Sequence, residues 1–190
     1  MNWEKGRRRL SACTVAVASL VALLSACGGT DVAGFDPDKA QQLAKDVSGG
    51  DVSESESLYV AANLSRSLGV LGNRVGDDAV VDMKIEPASL KLQAQSPGGE
   101  AQSLAIGVSG GVFQVPFAGV QVSGPVLGQI DPGAVERIAR QVASEAGVGL
   151  LGIGYFTTLT GTKPFTWGIY LEDGRRWEAG LDGTGVKRVS

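Results

Sequence analysis

Gly107-Val108-Ser109-Gly110-Gly111 has the letters of a nucleophile elbow, G-x-S-x-G. In that motif a strained turn lifts a serine off a strand, sets it at a helix start and hands its proton to a histidine. The chain contains no histidine. The usual base near neutral pH is therefore missing, and Ser-His-Asp and Cys-His catalysis are excluded. Strand-like sequence, Val112–Val115, follows the serine where a helix would be needed, so a hairpin turn is the better reading. A serine–lysine pair would have to draw on Lys84 or Lys91, whose strands place both on the wet side. A second run, Gly147-Val148-Gly149-Leu150-Leu151-Gly152, spells the dinucleotide fingerprint. It follows a helix and enters a strand, the reverse of the strand-loop-helix order that brings a pyrophosphate to a helix N-terminus. Asp77-Asp78 and the pair Glu54, Glu56 lack the spacing of a calcium loop and read as a turn and a helix start. Asn63-Leu64-Ser65 has the letters of a glycosylation sequon but falls on a helix. With no histidine, zinc is disfavoured as well. The expectation is a protein that is not an enzyme and needs no cofactor.

Cys27 is the residue whose surroundings do imply chemistry. Lys5, Arg7, Arg8 and Arg9 give a basic start, and Ala12–Leu24 is an uncharged apolar run of about 13 residues, short of the roughly 20 that cross a bilayer as a helix. Leu24-Ser25-Ala26-Cys27 closes it, followed by Gly28-Gly29. This resembles the lipobox of bacterial lipoproteins. The resemblance implies a signal peptide over residues 1–26, cleavage before Cys27 and a diacylglyceryl group on its thiol, which holds the protein to the outer face of the cell membrane. The Arg7-Arg8-Arg9-Leu10 run fits a plain basic start better than a twin-arginine signal. Cleavage removes four basic residues and Glu4, taking the formal net charge from −3 to −6. An acidic domain with no basic stripe is a poor partner for nucleic acid and lacks a second electrostatic grip on anionic lipid. Cys13 leaves with the leader and Cys27 is acylated, so no disulfide is expected and the core alone must stabilise the domain.

The elements that follow have clear periods. Residues 27–52 read as a tether, with one helical candidate between Asp36-Pro37 and Gly49-Gly50. Ser53 and Glu56 have capping-box spacing, and Leu58, Ala61, Leu64, Leu68 and Leu71 make a helical stripe that Gly72-Asn73 ends. The period then changes to two. Val81, Met83 and Ile85, then Leu90, Leu92 and Ala94, then Leu104, Ile106 and Val108, alternate with polar residues as half-buried antiparallel strands do. Val112–Val115 makes a fourth strand, and a Gly/Val-rich loop spans Pro116–Gln129. The order then repeats. Asp131 caps and Pro132 starts a helix with the stripe Val135, Ile138, Ala139 and Val142, which Gly147 ends. Strands follow near Val148–Leu159, Phe165–Glu172, Arg176–Leu181 and Val186–Val189, with turns at Asp173-Gly174 and Asp182-Gly183.

This predicts an α+β protein of two tandem units, residues 53–129 and 130–190, each a helix packed on one face of about four antiparallel strands. From Ser53 to Ser190 the layout is similar to the tandem α/β repeat lipoproteins of the PepSY-like class, related to the β-lactamase inhibitor protein fold. The resemblance rests on the helix before Gly76-Asp77-Asp78, the strand-turn-strand Ala79–Gln95, Pro164-Phe165, Trp167-Gly168-Ile169-Tyr170 and Asp182-Gly183-Thr184-Gly185-Val186. It implies an envelope module that binds or restrains another protein, without catalytic residues. Strand parity sets Phe165, Trp167, Ile169 and Leu171 toward a helix and Tyr170 away from it. Tyr170, with whichever of Tyr155 and Phe156 faces outward, is the expected anchor for an envelope protein partner. The alternative is a carrier or sensor of a small apolar ligand, with the smooth stretch Gly107–Gly128 lining its pocket.

Overall fold

The computed structural model describes residues 51–117, 124–159 and 164–190, all within one compact unit, Pro37–Ser190. The leader, Cys27, the tether helix and part of the Pro116–Gln129 loop lie outside the described residues. Ser53 and Glu56 make the contacts their spacing suggests: Ser53 N and Oγ donate to Glu56 Oε2 at 3.1 and 2.6 Å. They close a turn, however, and the helix starts later. Helix α1 runs Ala61–Val75 and passes through Gly72-Asn73 to end at Gly76, whose φ is +54°. A helical glycine costs only about 1 kcal/mol. Here the stripe of Leu64, Leu68 and Leu71 continues to buried Val75 beyond it, and that packing outweighs the penalty. Helix α2, Pro132–Ala146, follows its sequence signals throughout. The Asp131 carboxylate accepts from Gly133 N at 2.8 Å, Pro132 opens the first turn, and Gly147 terminates it at φ +70°.

Among the described residues eight strands and these two helices run in the order α-β-β-β-β-α-β-β-β-β: β1 Ala79–Ile85, β2 Ser89–Gln95, β3 Ala101–Gly107, β4 Val112–Phe117, then β5 Ile153–Leu159, β6 Thr166–Leu171, β7 Arg176–Gly180 and β8 Lys187–Arg188. The strands on either side of α2 do not form separate sheets. They join in one antiparallel sheet ordered β4-β3-β2-β1-β5-β6-β7-β8. Both helices lie on one face of it, because a single cluster of buried side chains joins their stripes to the inward residues of the strands. α1 also packs directly on α2. Leu90, Leu92, Ala94, Leu104, Ile106, Trp167, Ile169, Leu171, Trp177 and Ala179 point inward as their alternation requires. In β1 a bulge between Val80 and Asp82 turns Val80 inward in place of Val81, and the expected parity resumes at Met83 and Ile85.

The joint at the middle of the sheet is built from three kinds of contact. β1 and β5 share only the pairs Lys84↔Thr157 and Ile85↔Phe156. One step along, the Met83 amide donates to the Thr158 side-chain hydroxyl at 3.0 Å, and Thr158 is buried. Further still, Val80 N donates to Pro125 O at 2.8 Å, and Val126 forms an isolated bridge with Ala79. The stretch expected as loop therefore does ladder work at this end, which leaves no room for a side chain at Gly124: a Cβ there would run into the Val80 carbonyl.

Candidate functional site

The sheet face turned away from the helices is where a cross-strand aromatic and charged array is assembled. Pairing places Lys91, Lys84, Thr157, Gly168, Glu178 and Lys187 in one row across β2, β1, β5, β6, β7 and β8. The next row sets Tyr155 opposite Tyr170 and Tyr170 opposite Arg176. The two tyrosine rings stack, with centroids 4.7 Å apart and planes 14° from parallel. A cation closes each end of the stack. Lys84 Nζ lies 4.2 Å from the Tyr155 centroid and the Arg176 guanidinium carbon 5.3 Å from that of Tyr170. Such contacts draw on the negative face of the ring and strengthen as water is excluded. Gly168 makes room for this geometry: a Cβ there would sit 3.1 Å from Tyr170 Cε2.

Each cation is tied down in turn by a carboxylate held between two positive groups. Glu86 takes Lys84 at 2.6 Å and Lys91 at 2.9 Å, and accepts from Ser89 Oγ at 2.8 Å. Glu178 takes Arg176 at 2.8 Å and Lys187 at 3.6 Å. Burial works against ionisation of Glu86, yet hydrogen bonds from Lys84, Lys91 and Ser89 and the Lys91 charge outweigh it, holding the pKa down to about 2. The side chains of Lys84 and Arg176 are about a third exposed. With a ring on one side and a cation on the other, neither tyrosine keeps a free face for stacking on a flat ligand.

The choice between Tyr155 and Phe156 is decided by a bulge. β5 shifts register between Ile153 and Tyr155, so Ile153 and Phe156 both face the core and Tyr155 faces out beside Tyr170. Phe156 is fully buried, 5.3 Å from the Tyr59 ring and 6.0 Å from that of Trp167, and is no part of the outer face. Gly154 is the sequence signal for this, since a lone glycine inside a strand marks a bulge. Lys84, Arg176 and Glu178 are the members of the array that strand parity alone did not single out. Cation–π and ion-pair contacts need the cross-strand register before they can be seen.

The motif-like runs fall where structure explains them. Gly107–Gly111 is the hairpin between β3 and β4, with Gly110 N donating to Gly107 O at 2.9 Å. Lys84 and Lys91 both turn to Glu86. Gly147–Gly152 ends α2 and enters β5, and the Leu150 amide donates to the Glu54 carboxylate at 2.9 Å in place of any phosphate. Asn63 Nδ2 donates to Ser55 O and Ser57 O and ties the turn before α1. Among the described residues, the pocket between the start of α1 and the β3–β4 hairpin has a volume of about 50 Å³, against the several hundred that enclose a small ligand. No helix among them is long and apolar enough to cross a membrane, and none of their acidic groups cluster as a metal site would require. No family model, curated protein or solved structure matches the chain.

Proposed function

We propose that this chain is an exported bacterial lipoprotein, anchored through acylated Cys27, whose folded domain is a non-enzymatic module that docks an envelope protein. Leu24, Ser25 and Ala26 before Cys27 support the anchoring. The layout of one helix and four strands on each side of the β1–β5 joint supports the reading as a tandem repeat of PepSY-like type.

The observation that carries the docking is the Tyr155–Tyr170 stack, closed by Lys84 and Arg176, on the sheet face that neither helix covers. Tyrosines held rigid by neighbours lose little entropy on binding and are over-represented among interface hot spots. Confinement to the membrane plane raises the effective concentration of a partner embedded there, so modest affinity suffices.

The test places a photoreactive phenylalanine analogue at Tyr170 of the full chain in its native cells, with a matched probe at exposed Gln141 on α2 as control. A discrete protein adduct at Tyr170 and none at Gln141 is the expected result. Equal labelling at both positions, or none at Tyr170, removes the docking face. In the same cells the Cys27→Ser chain should leave the membrane fraction, and its retention there removes the anchor.

A further inference from the structure

Arg66 stands apart from the other cations of the domain. Among the described residues every other lysine and arginine has an ion pair, a hydrogen bond or an aromatic ring to meet it. Arg66 has none of these. It lies exposed on α1, at the rim of the small cleft between that helix and the β3–β4 hairpin. Glu56 lines the same cleft, and the two form no ion pair. The Ser53 amide and hydroxyl both donate to Glu56 Oε2, which lowers the Glu56 pKa and leaves Oε1 without a donor.

Two further polar groups face the same space. Ser67 is 6% exposed, and among the described residues its hydroxyl has no hydrogen-bond partner. A hydroxyl so enclosed is costly to leave unpaired. Asn63 Nδ2 donates to Ser55 O and Ser57 O, which fixes the amide and leaves Oδ1 as an acceptor. Leu58, Val70, Ile106 and Val108 supply the apolar lining. The rim at Gly110 stays open, since a Cβ there would meet nothing within 4 Å.

We infer that this cleft binds a small aliphatic α-amino acid of about the size of alanine, as the zwitterion. Arg66 and the Ser67 hydroxyl take its carboxylate, Glu56 and Asn63 Oδ1 take its ammonium, and its methyl group rests on the apolar lining. Charge selects this ligand. An anion alone would meet Glu56 as well as Arg66, and a cation alone would meet the reverse. The end of a peptide brings one of the two charges without the other. Size agrees. The cleft has about 50 Å³. A water needs roughly 10 to 15 Å³ on the same measure, so there is room for on the order of four or five non-hydrogen atoms. The site is on the helix side of the sheet, and the Tyr155–Tyr170 face has no part in it.

The test is a titration of the full, isotope-labelled chain in detergent, read by the amide shifts of Ser67, Val108 and Gly110. Alanine should give saturable shifts at all three. Propionate and ethylamine, each lacking one of the charges, should bind roughly tenfold more weakly or worse. Arg66→Gln and Glu56→Gln should each weaken alanine by about the same factor. Arg66 is exposed and unpaired, and glutamine suits a helix, so circular dichroism of that variant should match the parent. No saturable shift up to the solubility of alanine overturns the inference. So does propionate binding as tightly as alanine, or alanine binding unchanged in Arg66→Gln.

Discussion

Glu86 shows what one carboxylate does when its neighbours are chosen for it. It sits between Lys84 and Lys91 and under Ser89, and these hold it ionised against the cost of partial burial. Its folded pKa, about 2, lies below the ordinary glutamate value of 4.5. The stabilisation is therefore complete above about pH 4.5 and is lost as pH falls toward 2. Glu86→Gln should cost on the order of 1 to 2 kcal/mol at pH 7, because Lys91 and Lys84 are partly exposed and solvent screens the pairs. In urea titrations the gap between parent and variant should narrow steadily below about pH 4.5. A gap that stays constant down to pH 3 would show that the lysines hold no charge at Glu86. Much at this scale was legible in the sequence. Tyr170 faces outward because the β6–β7 register runs without a shift from Thr166 to Tyr170, opposite to buried Trp167 and Ile169. Sequence alone leaves Tyr155 open against Phe156 because the answer depends on a bulge, one extra residue that reverses parity without altering composition. Lys84 and Arg176 reach the tyrosine rings from neighbouring strands, and periodicity within one strand carries no information about its neighbour.

At the scale of the element, α1 is the helix that local signals misplace, and its start explains why. Val60 at its N-terminus has no side chain able to cap it. The cap comes instead from the other helix: Glu136 Oε2 on α2 accepts from Ala61 N at 2.8 Å. That hydrogen bond, with two more from Arg140, lowers the Glu136 pKa despite some desolvation. Ser53 and Glu56 satisfy each other in a turn upstream, so a true local motif pointed to the wrong boundary. Between the turn and the helix, buried Leu58 and Tyr59 fasten the chain, and the Tyr59 hydroxyl donates to Ile153 O at 3.1 Å. Burial, with the charges of Glu86 and Glu172, pushes that hydroxyl's pKa up, so it remains a donor at any ordinary pH. Glu136→Ala should cost about 1 kcal/mol, the usual worth of an N-cap. Because the cap spans two helices, amide exchange should quicken in the first turn of α1, far from the mutated residue in sequence. Loss of protection confined to α2 would mean that the capping bond contributes nothing. α2 lies at the opposite extreme: Asp131, Pro132 and Gly147 are local signals with local partners, and its bounds follow from them.

Taken whole, the molecule is set by how its two halves meet. Sequence order gives a helix and four strands on each side of Gln129. The chain instead fuses the strands at β1–β5 and places both helices over one shared core, so that one sheet with two open edges stands where two separate sheets would have four. No within-half periodicity can announce that choice, since inward residues are the same either way. The joint itself is lightly built in backbone terms, with two residue pairs, one threonine hydroxyl and the Pro125–Val126 segment standing in for a full ladder. Its strength must come from the apolar layer beneath, where Met83, Ile85, Phe156, Trp167 and both helix stripes form one cluster. The consequence is cooperative unfolding. If the core is shared, thermal and urea unfolding should show one transition, with the signals of Trp167 and Trp177 in the β5–β8 half coincident with the far-ultraviolet signal of the whole. Thr158→Val keeps the shape at the joint and strands the Met83 amide, so it should cost about 1 to 3 kcal/mol while leaving the transition single. Two separated transitions in the parent chain would mean that each half holds its own core, and that the continuous sheet is a contact between two domains rather than the frame of one.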